Sequence, residues 1–137
     1  MQNTDRTAPD QTANPGFRIA GILGALAVGL GAFGAHGLKS WLKDDPDVVI
    51  RLGWWETATH YHLAHALLAA VFALLWTSSP RARTGLTLSV VGVAIFSGSL
   101  YLMTLTNIRL LGAITPIGGL ALIGAWICLG LCRPRHR

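Results

Sequence analysis

Charge is what this sequence has least of. Only 12% of its 137 residues are Asp, Glu, Lys or Arg, about half the share of an average soluble domain. Apolar residues make up 52%. A soluble fold of this size has too little polar surface here to cover itself, so the shortage points to a chain covered by lipid. Six acidic residues face eleven basic ones, for a net charge of +5. That excess does not indicate nucleic acid, because Lys and Arg lie between apolar runs and form no continuous patch or stripe. They read as membrane-flanking charges. Cysteine is scarce as well. Cys128 and Cys132 lie four apart, a helix spacing that shares a face but seldom has disulfide geometry. Two thiols alone make a poor metal site, so they read as small packing residues. Catalytic signatures are also missing. There is no HEXXH, no Ser/His/Asp or Cys/His arrangement around a nucleophile, and no acidic pair within an apolar run. Glycine-rich stretches lack the closing Lys or Ser/Thr of a phosphate loop. The reading is therefore no enzyme, no metal and no cofactor.

What the chain does contain is four apolar runs, at about 17–38, 54–76, 84–106 and 110–132. Each is about 20 residues, the length a helix needs to cross about 30 Å of hydrocarbon. The expected fold is an all-α membrane protein, a four-transmembrane-helix bundle occupying 17–132. Residues 1–16 are polar and aperiodic and read as a disordered cytoplasmic tail; 133–137 read as a basic cytoplasmic tail. With the N-terminus inside, seven basic residues (Arg6, Arg18, Arg81, Arg83, Arg133, Arg135, Arg137) flank the cytoplasmic side. Four (Lys39, Lys43, Arg51, Arg109) lie outside. The bias puts both termini in the cytoplasm. In the first outer loop, Asp45-Pro46 resembles a helix N-cap and first position. Val48, Val49 and Leu52 follow as an apolar stripe. A short interfacial helix is expected there, running into the second span with a bend at Gly53.

Small residues recur every four positions in the first run: Gly21, Ala25 and Gly29, then Ala27, Gly31 and Ala35. Gly118 and Gly119 repeat the theme in the fourth. Such spacing lets helix backbones approach closely in lipid, where the hydrophobic effect no longer drives association. These residues are expected to pack helices, within the chain, in a homo-oligomer or in a larger membrane complex. Thr115-Pro116 marks either the true start of the fourth helix, after an irregular entry, or a kink.

The stretch WETATHYHLAHALL opens the second run with a glutamate and three histidines. On a helical wheel Tyr61, His62 and His65 share a face. Glu56 and His60 fall on the other side, near the water interface, spaced to pair. His65 sits about 13 Å further along the axis than Glu56, and an ionisable group at that depth normally faces the bundle interior with a partner. His36, Ser99, Tyr101 and Thr115 are expected at the same level, so Tyr61 and His65 join a polar layer in the outer half of the membrane. Three readings are open: a hydrogen-bonded plug that fixes helix register, which carries the most weight; a pocket for a lipid, quinone or small solute; and a haem or metal site using His36 and His65.

Several motifs in order carry a family resemblance. GAFGAHGL (31–38), Trp54, Thr57-Ala58, Tyr61, HALL (65–68), FSGSLYLMTLT (96–106) and LGAITPIGGLALIGAW (111–126) resemble the DUF423 family. Its members are small four-helix inner-membrane proteins of bacteria, related to the transmembrane protein 256 group. The resemblance implies the four-helix architecture and an inner (plasma) membrane location, but no activity. Its pattern includes His36, Trp54, Tyr61, His65, Ser97-Gly98-Ser99, Tyr101 and Thr115-Pro116. It does not include His60 or His62, which makes His62 a doubtful partner for His65. The functional expectation is a non-catalytic structural or accessory membrane protein, with the outer-half pocket as the alternative.

Overall fold

The computed structural model describes residues 14–132, all helix and connecting turns with no strand among them. The tails expected at 1–16 and 133–137 lie outside the described residues, apart from 14–16. Four long helices follow in order: α1 (Pro15–Trp41), α2 (Val48–Leu74), α3 (Pro80–Thr106) and α4 (Thr115–Gly130). They run alternately up and down. The end holding the first and last described residues is called proximal below, and the opposite end distal.

α1 begins two residues before the expected Phe17, for a local reason. The Asn14 side chain accepts the Gly16 amide N–H at 2.9 Å, with Pro15 in the first turn. This supplies one of the acceptors that a helix start needs. Asn14 Nδ2 also donates to the Ala73 carbonyl at 2.7 Å, tying the start of α1 to the end of α2. Near its distal end α1 changes to one π-helical turn, Gly34–Leu38, before a last α turn at Lys39–Trp41.

The helix expected to begin near Pro46 and continue into the second run is present from Val48, without the bend at Gly53. Residues 42–47 are mostly turns, and a single helix starts at Val48 and passes through Gly53 without a break. The cause is Arg51, whose side chain is buried against α3, so the first turns of α2 join the bundle. At the other hairpin, α3 stops at Asn107, which takes a left-handed φ of 57°. Asn is among the few non-glycine residues that adopt it readily. A 3-10 turn, Arg109–Ala113, leads to α4. The fourth helix thus starts at Thr115-Pro116 instead of kinking there.

Among the described residues three helices are long and apolar enough to cross a membrane: Pro15–Trp41, Pro80–Thr106 and Arg109–Gly130, the last including the 3-10 turn. α2 matches them in length at 27 residues, but its Arg, Glu and His keep it out of that set.

α2 and α3 form the centre, with α1 packed on α2 and α4 on α3. At the proximal end all four helices meet around Phe72. Phe72 is fully buried because Gly85 leaves room for its ring. Gly118 lies so close to the Phe96 backbone that a methyl group there would overlap it, while a methyl group on Gly119 would meet the Phe96 ring at an ordinary 3.6 Å. These two glycines lie in the contact between α3 and α4. Of the α1 stripe, Ala27 alone is buried within the chain. Gly21, Ala25, Gly29 and Ala35 are exposed, and Gly31 has nothing within 4 Å of an added Cβ. α1 instead meets α2 through Gly16, Ala20, Ala27 and Gly34. Both faces of α1 carry small residues, so spacing alone did not separate them.

Candidate functional site

Polar side chains tie neighbouring helices together from the distal end to the middle of the bundle. At the distal end the Arg51 guanidinium donates from Nε to the Thr104 carbonyl at 2.8 Å and from Nη2 to the Leu105 carbonyl at 3.2 Å. These belong to the last turn of α3, where carbonyls lack helical partners. Arg51 also forms an ion pair with Asp45 and lies over the Trp41 ring at 5.6 Å. In return the Thr104 hydroxyl donates to the Arg51 carbonyl at 3.1 Å. Outside this clamp, Asp47 accepts from Asn107 at 3.1 Å and Arg109 at 3.2 Å. The Asn107 hydrogen bond, reinforced by the Arg109 charge, holds the Asp47 carboxyl below its ordinary pKa against a smaller opposing effect of burial.

One level deeper, Trp55 Nε1–H donates to the Leu30 carbonyl at 2.9 Å, joining α2 to α1. Its ring packs on Tyr101 with centroids 4.6 Å apart. The Tyr101 hydroxyl lies 3.3 Å from His62 Nδ1. His62 is 4% exposed, and its other nitrogen, Nε2, is buried with no hydrogen-bond partner among the described residues. On the α3 side, the Ser97 hydroxyl donates to the Ala58 carbonyl at 2.9 Å. Ser99 and Thr115 hydroxyls meet at 2.8 Å between α3 and α4.

His65 joins α2 to α4. Trp126 Nε1–H can only donate, and it lies 3.2 Å from His65 Nε2. That nitrogen therefore accepts, the ring proton sits on Nδ1, and Nδ1–H donates to the Tyr61 carbonyl at 2.8 Å. Both nitrogens are satisfied by one neutral tautomer. Beside this pair lies an open groove of about 300 Å³, lined by His60, Tyr61, His65 and Trp126. The Tyr61 ring is stacked against His65 and packs on Phe96.

The expected polar layer is thus only partly assembled. Ser99 and Thr115 pair, while Tyr61 and His65 share the groove. Tyr101 turns instead to His62, the histidine that the family pattern had made doubtful. His36 stays apart. It is exposed in the π-helical turn, and its near neighbour Gly34 abuts Trp55, ten residues or about 15 Å from His65 along α2. The His36–His65 pair proposed for haem or metal does not form. Glu56 and His60 are both exposed, and among the described residues Glu56 makes no ion pair.

Two residues with a role here, Arg51 and Trp126, are absent from the expected site, and His62 enters it only as a doubtful partner. Arg51 was counted only as an outer charge. Its signal was an Arg flanked by Val48, Leu52 and Trp55 at helical spacing. His62 shares its face with Ala58 and Ala69, which are fully buried. Trp126 carried no local signal, since its partner lies 61 positions away.

A family model described as "Protein of unknown function (DUF423)" matches residues 30–119. The chain belongs to this family. The matched segment contains the Arg51 clamp, the His62–Tyr101 pair and the Ser99–Thr115 pair, but stops short of Trp126. Similar relatives are bacterial. UPF0382 membrane protein YwdK of Bacillus subtilis is 44% identical over 117 residues, covering 82% of this chain and 91% of that one. UPF0382 membrane protein SH2409 of Staphylococcus haemolyticus is 46% identical over 113 residues, covering 79% and 88%. No solved structure is a significant match. With its apolar helices and these relatives, the DUF423 chain is a membrane protein.

Proposed function

We propose that this DUF423 protein is a non-catalytic structural or accessory protein of the bacterial inner membrane, crossing it four times with both termini in the cytoplasm. One observation carries the reading: six polar side chains of the helices are engaged in helix-to-helix hydrogen bonds. Trp55, Ser97, Ser99, Thr115, His65 and Trp126 each bind a neighbouring helix, which is how a bundle in lipid fixes its register. α2 counts as a span on this reading. Its 27 residues extend about 40 Å, more than the hydrocarbon thickness, and its His62 and His65 face protein. The orientation is supported by the sequence count, seven basic residues on the segments read as cytoplasmic against Lys39, Lys43, Arg51 and Arg109 on the other side. Self-association or docking into a larger membrane complex would use the exposed Gly21, Ala25 and Gly29 stripe.

The test is native mass spectrometry of the protein gently extracted from its own membranes. Co-purifying protein subunits, without an added small-molecule mass, are the expected result. A defined small-molecule mass on the isolated chain would favour the second reading, a pocket for a lipid, quinone or small solute. The groove at Tyr61, His65 and Trp126 supports that alternative.

A further inference from the structure

One face of α2 is left open by the other described helices. Thr57, His60, Ala64, Leu67, Val71 and Leu74 are alternately three and four residues apart, and all six are exposed. They fall within about 100° of the helix circumference. This is the spacing of the seam in a two-stranded coil, with Thr57, Ala64 and Val71 at a and His60, Leu67 and Leu74 at d. The same register puts Glu56 at g and Tyr61 at e, the flanking positions whose side chains reach across to a neighbouring helix. Both are exposed as well.

The polar groups of this face lie deep once α2 is taken as a span, the part of the accessory reading on which this inference rests. His60 stands about 18 Å from the Val48 end of α2 and about 21 Å from the Leu74 end. The helix is about 40 Å long, against about 30 Å of hydrocarbon. Wherever that layer sits along the helix, His60 is at least about 8 Å inside it. An ionisable group at such a depth normally faces protein and has a partner. Among the described residues His60 has no such partner, and Glu56 makes no ion pair. Glu56 and Tyr61 accept hydrogen bonds at their backbone carbonyls, from Thr59 and His65, while the Glu56 carboxyl and the Tyr61 hydroxyl stay free. Their partners therefore come from another helix.

We infer that this helix is α2 of a second copy of the chain, packed parallel to the first across a two-fold axis along the membrane normal. Such a contact is isologous, so the face must complement itself. It does. Glu56 brings an acceptor and Tyr61 a donor. In a parallel pair each g position faces the following e position of the other helix. Each Glu56 carboxyl thus accepts from the partner's Tyr61 hydroxyl, once on either side of the axis. His60 meets the partner's His60 at the seam, where a neutral imidazole offers one donor and one acceptor. Thr57 and Ala64 are small enough for close approach at that level, and Leu67, Val71 and Leu74 pack along the rest. Gly21, Ala25 and Gly29 of α1 bring no polar group, so the choice of partner belongs to α2. The inference deepens the accessory reading by naming one of its subunits.

The experiment is oxidative cross-linking in native membranes, using the full chain with Cys128 and Cys132 replaced by Ser and one cysteine added at a time. Ala64→Cys, Leu67→Cys and Val71→Cys should each give a disulfide-linked dimer. Leu26→Cys on α1 and Ile123→Cys on α4, which are also exposed, should stay monomeric. Equal cross-linking at all five positions would overturn the inference, as would a dimer formed only through Leu26 or Ile123. The absence of any chain-to-chain dimer would overturn it too, and other subunits co-purifying in that case would leave the accessory reading standing. Tyr61→Phe keeps the ring against His65 and Phe96 and removes only the hydroxyl. It should weaken the dimer about tenfold, or about threefold for each of the two symmetric bonds. Energy transfer between labelled chains, followed as vesicles are diluted with lipid, measures the change. Glu56→Leu should weaken the dimer by the same factor, and the two substitutions together should do no more, because they remove one bond from its two ends. Additive losses would overturn the pairing of Glu56 with Tyr61.

Discussion

Replacing Arg51 by Met would leave the Thr104 and Leu105 carbonyls and the Asp45 carboxylate without their partner at the end of α3. Breaking a buried ion pair from one side costs about 3–5 kcal/mol. The lower end applies here, because Asp45 keeps some contact with solvent. Arg51→Lys should recover only part of the loss, since a single ammonium cannot reproduce the planar fork that reaches two carbonyls and a carboxylate. Unfolding in detergent, followed by circular dichroism, measures both. His62 and Tyr101 behave differently, because Nε2 of His62 is already unpaired. Tyr101→Phe alone should cost about 1–2 kcal/mol by stranding His62 Nδ1, whereas His62→Leu with Tyr101→Phe should return close to the starting stability. A double-variant loss equal to the sum of the single losses would show that the pair does not act as a unit. Asp47 supplies a pH dependence. Its folded pKa is depressed, so its stabilising effect is complete above the ordinary Asp value of about 3.9 and is lost as pH falls through the lower folded value. Melting temperatures measured from pH 6 down to pH 3 should fall more for the native protein than for Asp47→Asn.

The two glycine sets separate at the level of whole helices. Gly118→Ala puts a methyl group into the Phe96 backbone and should cost about 1–3 kcal/mol by overpacking. Gly21→Ala meets nothing within the chain and should leave monomer stability unchanged or slightly raised, as Ala is the better helix former. Thermal unfolding of both variants in one detergent makes the comparison. The contrast also shows what could be read in advance. The positions of the apolar runs were legible because 20 apolar residues have few other uses. Which face of α1 turns inward was not, because in lipid the exposed and buried faces are equally apolar and the inward face carries no excess of hydrophobicity. The same ambiguity hid the π-helical turn at Gly34–Leu38, which carries His36 away from the histidines of α2. Depth along a helix was easier than direction around it. His65 was expected at its level from residue count alone, while its partner Trp126 needed the tertiary structure.

For the molecule as a whole, the proposed topology makes α2 the element to probe, because its two ends should face opposite sides. In a chain with Cys128 and Cys132 replaced by Ser, a single cysteine at Lys43 should react with a membrane-impermeant thiol reagent added outside spheroplasts. A cysteine at Ser78 should react only after permeabilisation. The reverse pattern would invert the topology, and equal reactivity from outside would remove α2 as a span. The Arg51 clamp has a consequence of a different kind, in time. Its acceptor at Thr104 lies 53 residues further along the chain. At a synthesis rate of about 5–20 residues per second, several seconds separate the appearance of Arg51 from that of the carbonyl it binds. Through that interval the least apolar helix has only Asp45, the Trp41 ring and water for its guanidinium. On the proposed four-span topology, α2 settles into the bilayer only as α3 emerges, and the two enter as a hairpin that the last residues of α3 lock.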